Sequence, residues 1–128
     1  MSGPAYGSVG GRWRSNQGSG SVLTLAIAAV VLALAAALAL QIQATVARAR
    51  AQTIADLSAL AGARAAQRAA FGEAGTSEPC ARAAEVAAHN GGRLVSCAER
   101  DAARLQVEAV VATSLGEARA GALAGPSG

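Results

Sequence analysis

Residues 22–40 read VLTLAIAAVVLALAAALAL, a run of 19 in which Thr24 is the sole polar side chain. A helix of roughly 20 apolar residues crosses the ~30 Å hydrocarbon layer of a bilayer, and only internal helical hydrogen bonds satisfy its backbone there. The run therefore reads as a membrane-spanning helix. Its competing use, as the core helix of a soluble protein, fails for want of a surrounding shell. From Thr45 to Gly128 only 14 of 84 residues are Leu, Ile, Val or Phe, and 36 alanines supply more than half of the 52% hydrophobic content. Such a segment builds one small core at most.

A cleavable signal is the other reading. Arg12 and Arg14 supply a basic leader and Ala37-Leu38-Ala39 a small-residue cleavage site. Cleavage there would release the remainder as a secreted small binding module. The apolar run is longer than the ~7–15 residues of a signal's apolar region, and helical sequence continues past it without a break.

Eleven arginines, no lysine and eight acids leave a net charge of +3. Nothing forms a basic patch interleaved with aromatics, so nucleic acid is not an expected partner. No nucleophile–base or carboxylate constellation points to an enzyme or a small-molecule substrate. Two cysteines and His89 do not complete a tetrahedral metal set, and no cofactor is expected.

Between Ser21 and Ala70 there is no proline and one glycine, Gly62. A continuous helix over 22–70 would be ~74 Å long and project ~40 Å beyond the lipid. Past Leu40 the pattern turns amphipathic: Ile54, Leu57, Leu60 and Ala61 share a face that Arg50, Arg64 and Arg68 avoid. A second stripe carries Ala47, Ala51, Ala55, Ala59 and Ala63, with Gly62 and Ala66 beside it. Small residues at this spacing let helices approach closely, which predicts lateral packing between subunits that is weakened when Ala55 and Ala59 are changed to Leu. Gln52 and Asp56, one turn apart, are placed to hydrogen-bond within or between helices.

Phe71-Gly72 ends the helix and residues 72–79 read as a loop. Ser77 is the expected N-cap of a short helix through Ala88, with Glu78 and Pro79 in its first turn and Asn90-Gly91-Gly92 as its stop. Residues 93–97 and 104–111 read as a β-hairpin, with Leu105, Val107, Ala109 and Val111 facing in and Arg104, Gln106 and Glu108 facing out. The turn falls on Glu99-Arg100-Asp101-Ala102, and the Gly/Ala-rich tail from Gly116 is expected to fray. Cys80 and Cys97 would close a ring of 18 residues, worth ~3 kcal/mol if oxidised. Burial as two small hydrophobic thiols is the other reading. Arginines tie across the span, Arg12 and Arg14 against Arg48 and Arg50. A disulfide would favour a cytoplasmic N-terminus and an extracytoplasmic C-terminal domain.

The expected plan is α+β. A flexible basic tail covers 1–21, the transmembrane segment 22–40, its extramembrane continuation 41–70, a small α+β head 71–115 and a flexible tail 116–128. Gly18-Ser19-Gly20-Ser21-Val22-Leu23 entering the span and Arg50-Ala51-Gln52-Thr53-Ile54-Ala55-Asp56-Leu57-Ser58-Ala59-Leu60-Ala61-Gly62-Ala63 after it resemble the TadE/TadG-like family of Flp (tight-adherence) pilus loci. The cysteine pair, Asn90-Gly91 and the Ala/Arg/Gly-Pro tail resemble its short actinobacterial TadE-like members. The resemblance implies a pilin-like, non-enzymatic, single-pass membrane component or assembly factor of a pilus or secretion apparatus. Its partners would be the lipid bilayer, other TadE/TadG-like or pilin subunits and the assembly machinery. The small-residue stripe and the polar pair give Ala51, Gln52, Ala55, Asp56, Ala59, Gly62 and Ala63 as the expected helix-packing residues, and Cys80 and Cys97 are the expected disulfide. Prepilin peptidase substrates carry Glu at the fifth mature position, where cleavage after Gly18 or Gly20 would put Leu23 or Leu25. On that point the chain resembles TadG-like members, which stay in the membrane without processing.

Overall fold

The computed structural model describes the backbone of residues 3–127, and side chains over 18–101 and 103–127. Arg12 and Arg14, counted above toward orientation, lie outside the described side chains. Helix α1 (Gly3–Ala70) is followed by α2 (Pro79–His89), then strands β1 (Arg93–Arg100), β2 (Arg104–Thr113) and β3 (Gly116–Ala124), with a 3-10 turn, Asp101–Ala103, between β1 and β2. The class is α+β. Contacts divide the chain into two units, Met1–Gln41 and Ile42–Gly128.

In the second unit the strands form one antiparallel sheet in the order β1-β2-β3. Leu105, Val107, Ala109 and Val111 are 0–3% exposed, as the alternation predicts. They pack with Ala51, Ile54, Ala55, Ala59 and Ala63 of α1 and with Ala83 and Ala87 of α2. The central strand thus meets two alanine-faced helices.

Three details depart from expectation. Residues 116–124 form a third strand rather than a frayed tail, pairing from Thr113↔Gly116 to Leu105↔Ala124. Ala118, Ala120, Ala122 and Ala124 alternate inward against the core while residues between them stay outside. Methyl groups carry a weak period-2 signal, so the strand looks like low-complexity sequence.

The cap of α2 is Glu78, one residue later than Ser77. Its carboxylate accepts from the backbone N–H of Cys80 at 3.1 Å and Ala81 at 2.8 Å. An anion there also complements the helix dipole, which a serine does not. The expected stop holds: Asn90 N–H bonds to Val86 O and Ala87 O, Gly91 takes φ +78°, and Gly92 N–H returns to Ala87 O at 2.9 Å. Finally, β1 extends to Arg100 with an irregularity between Leu94 and Ser96, and Ala103 takes φ +59° in the turn that lacks glycine.

Candidate span and helix-packing surfaces

From Gly18 onward α1 is long and apolar enough to cross a membrane, with mean hydropathy 2.8 over its best window and none of that window buried. Val22, Leu25, Val30, Leu32, Leu34 and Leu38 are each 59–70% exposed. These side chains point around the whole helix, as a lipid-facing segment requires and an amphipathic one forbids. Thr24 donates its hydroxyl to Gly20 O at 2.8 Å, so the one polar side chain of the run is satisfied by its own helix.

Residues 51–66 behave differently. Ala51, Ala55 and Ala59 are 0% exposed and Ala63 is 2% exposed, all against the sheet and α2 of the same chain. The small-residue stripe does permit close approach, but the chain's own head occupies it. A lateral neighbour therefore does not find these methyl groups on the surface. Gly62 shows how tight the fit is: an added Cβ would run into Leu105 Cδ2 and come within 2.9 Å of Pro79 O. Gly92 likewise lies under Ile54, where a Cβ would stand 3.1 Å from Ile54 Cδ1.

The polar pair is local. Gln52 Nε2 donates to Asp56 Oδ1 at 2.9 Å and to Gly121 O at 3.3 Å, tying α1 to β3. Of the apolar face expected over Ile54, Leu57, Leu60 and Ala61, Ile54 is buried, but Leu57 and Leu60 are 43% and 44% exposed. The buried arc is centred on the small residues because only they allow helix and sheet to close; the leucines are left on the opposite side. With 100° per residue, Leu57 and Leu60 share that outer face with Ile42, Val46 and Thr53.

Cys80 and Cys97 form a disulfide, Cα–Cα 5.9 Å, that joins the first turn of α2 to β1. Ser58 is 0% exposed and its hydroxyl has no hydrogen-bond partner among the described residues. On the outer sheet face Arg93 meets Glu117 at 2.6 Å, and Arg119 lies 3.4 Å from Glu117 and 3.7 Å from Glu108. The hydrogen bond and charge of Arg93, then the charge of Arg119, hold the Glu117 carboxyl below its ordinary range. Directly opposite Arg93 and Arg119, Val110 is 1% exposed, although it points away from the core side. The arginine stems on both flanking strands explain that burial.

The apolar run and the helical turns that follow it are also where a family match falls. Residues 18–70 match the TadE/G-like family of Flp pilus-assembly proteins. The TadE/G-like segment thus takes in the apolar run and the turns buried under the sheet, and it ends with α1. Residues 71–128, with α2 and the sheet, lie beyond the match. No curated protein and no solved structure matches the chain.

Proposed function

We propose that the protein is a single-pass, pilin-related component or assembly factor of a Flp/Tad-type pilus or secretion apparatus. The TadE/G-like segment supports this reading: its family is one of pilus assembly, not of enzymes, and its helix meets the length and hydropathy needed to span. In this reading residues 22–40 anchor the chain, the N-terminus is cytoplasmic and the disulfide-closed head stands outside. Lateral association with related subunits runs along the span and the outer face of α1.

The observation that carries the lateral contact is the inversion of the helix. Its small residues are consumed inside the head, while Leu57 and Leu60 remain outside on a face that also holds Ile42 and Val46. Leucines in water gain by meeting a second apolar surface, ~1.5–3 kcal/mol for each side chain fully buried. Crosslinking in native membranes tests this. Leu57→Gln with Leu60→Gln is expected to lower crosslinked species by at least about ten-fold, the equivalent of ~1.4 kcal/mol, with hydrogen exchange of β2 unchanged. Undiminished crosslinking would remove the outer face from the assembly surface.

A further inference from the structure

Helix α1 ends in a turn that brings a carboxylate back onto it. Gly72 takes φ +75° and its N–H bonds to Ala69 O at 3.0 Å, while the N–H of Glu73 bonds to Arg68 O at 3.1 Å. This closure leaves the Glu73 side chain beside Arg68, with Oε2 3.8 Å from Nε. Gly75 turns the chain a second time at φ +77°, and the Thr76 hydroxyl reaches Glu73 O at 3.4 Å. Glu78 then takes the cap of α2, so the Ser77 hydroxyl has no hydrogen bond among the described residues.

Between this loop and the two helices lies a pocket of about 380 Å³. Arg64 and Arg68, one turn apart on α1, line it with Arg82 of α2, and Glu73 is the one acid among its lining residues, a net charge of +2. Close contact at Gly62 sets the distance between its walls: a Cβ there would stand 2.9 Å from Pro79 O and 3.2 Å from Ala83 Cβ. Arg64 has no ion pair or hydrogen bond among the described residues. Arg68 meets Glu73 beyond hydrogen-bond length, and Arg82 gives one of its five N–H groups to Glu85 at 2.7 Å. Three guanidinium forks thus border one space that holds a single, loosely engaged carboxylate.

We propose that this pocket binds a doubly charged oxyanion, either a phosphate group or a pair of neighbouring carboxylates. Guanidinium forks pair with both through parallel N–H···O bonds, the free Ser77 hydroxyl supplies a further donor, and a charge of −2 balances the lining. Glu73 is the internal competitor, its carboxylate resting on Arg68 until the ligand takes its place. The end of α2 is not the receptor, because Glu78 already accepts from the N–H groups of Cys80 and Ala81. Every residue of the site belongs to the unit Ile42–Gly128, so the proposal is independent of the reading of residues 22–40 as an anchor.

The test is calorimetric titration of the full chain in nonionic detergent at low salt, with inorganic phosphate, with acetylated triglutamate amide, and with chloride at matched ionic strength. Phosphate or triglutamate is expected to saturate one site, and chloride to give no saturating heat. The tighter of the two assigns the ligand as phosphate or as acidic side chains. Arg64→Gln and Arg82→Gln should each weaken binding about three- to five-fold, as exposed charge-assisted contacts do. Arg48→Gln, an equal loss of charge elsewhere, should leave it unchanged. Glu73→Gln should tighten binding about two- to three-fold by removing the competitor, whereas Glu99→Gln, the same change of charge on β1, should not. Hydrogen exchange of β2 amides checks that each variant remains folded. No saturable binding of either probe would overturn the site. Equal losses from Arg48→Gln and Arg64→Gln would reduce it to diffuse net charge, and weaker binding by Glu73→Gln would overturn the competitor.

Discussion

Residues 22–40 and 51–66 both lie in α1 and are nearly equal in alanine, 8 of 19 against 7 of 16, yet their side chains face opposite worlds. In the first, large residues fall on every side of the helix and the hydrophobic window is wholly exposed. In the second, three large apolar residues remain, Ile54, Leu57 and Leu60, and the small ones form a buried arc. Alanine content is thus uninformative about environment. The distribution of bulky residues around the helix decides it: uniform bulk suits a uniform apolar solvent, and one smooth small face suits a sheet that must come close.

The strongest way to break this contrast is to remove the disulfide. A head whose helix and sheet meet through methyl groups has little buried area to draw on, so the 18-residue ring contributes a large share of its stability. Cys80→Ser and Cys97→Ser should each cost the head about 3 kcal/mol, measured as lost hydrogen-exchange protection of β2 amides in detergent. Carbonate resistance should be unaffected. Unequal losses would show that one cysteine does more than form the bond.

A single substitution type made in both regions sharpens the contrast next. Ala59→Leu inserts a branched side chain at a 0%-exposed site and should destabilise the head by about 1–3 kcal/mol or more. Ala36→Leu, on the exposed run, should leave the head untouched and favour membrane insertion by a few tenths of a kcal/mol. If Ala59→Leu instead left β2 protected and abolished crosslinking between subunits, the stripe would be an intermolecular surface after all.

Much of this plan was legible in the residues because bulk and chain direction are written plainly there. The apolar run, the glycine-free helix, the Asn90-Gly91 stop and the alternating Leu105–Val111 strand each carry a signal that local physics produces. What escaped was whatever depended on distant partners. The third strand announces itself only by Ala118, Ala120, Ala122 and Ala124, whose period becomes visible once a neighbouring strand fixes which side is inside. Leu57 and Leu60 look like a core face when the helix is read alone, since hydrophobicity ranks leucine above alanine. Against a sheet whose Leu105 comes right up to Gly62, the smaller face wins.

The smallest stability change expected in the head concerns a defect in the small face itself. Ser58 has its hydroxyl buried without a hydrogen-bond partner among the described residues. An unsatisfied buried polar group costs ~1–3 kcal/mol in desolvation, and alanine keeps the size that the close approach requires. Serine is also the poorer helix former. Ser58→Ala should therefore stabilise the head by about 1 kcal/mol, read as higher protection of β2 amides with no change in carbonate resistance. A loss of stability would mean that the hydroxyl is engaged in the membrane-embedded protein, either by its own helix or by a subunit reaching into the arc. Paired with Ala59→Leu, this substitution asks whether the arc is closed: an arc filled by its own sheet should gain from one more methyl-sized surface and lose from one more branch.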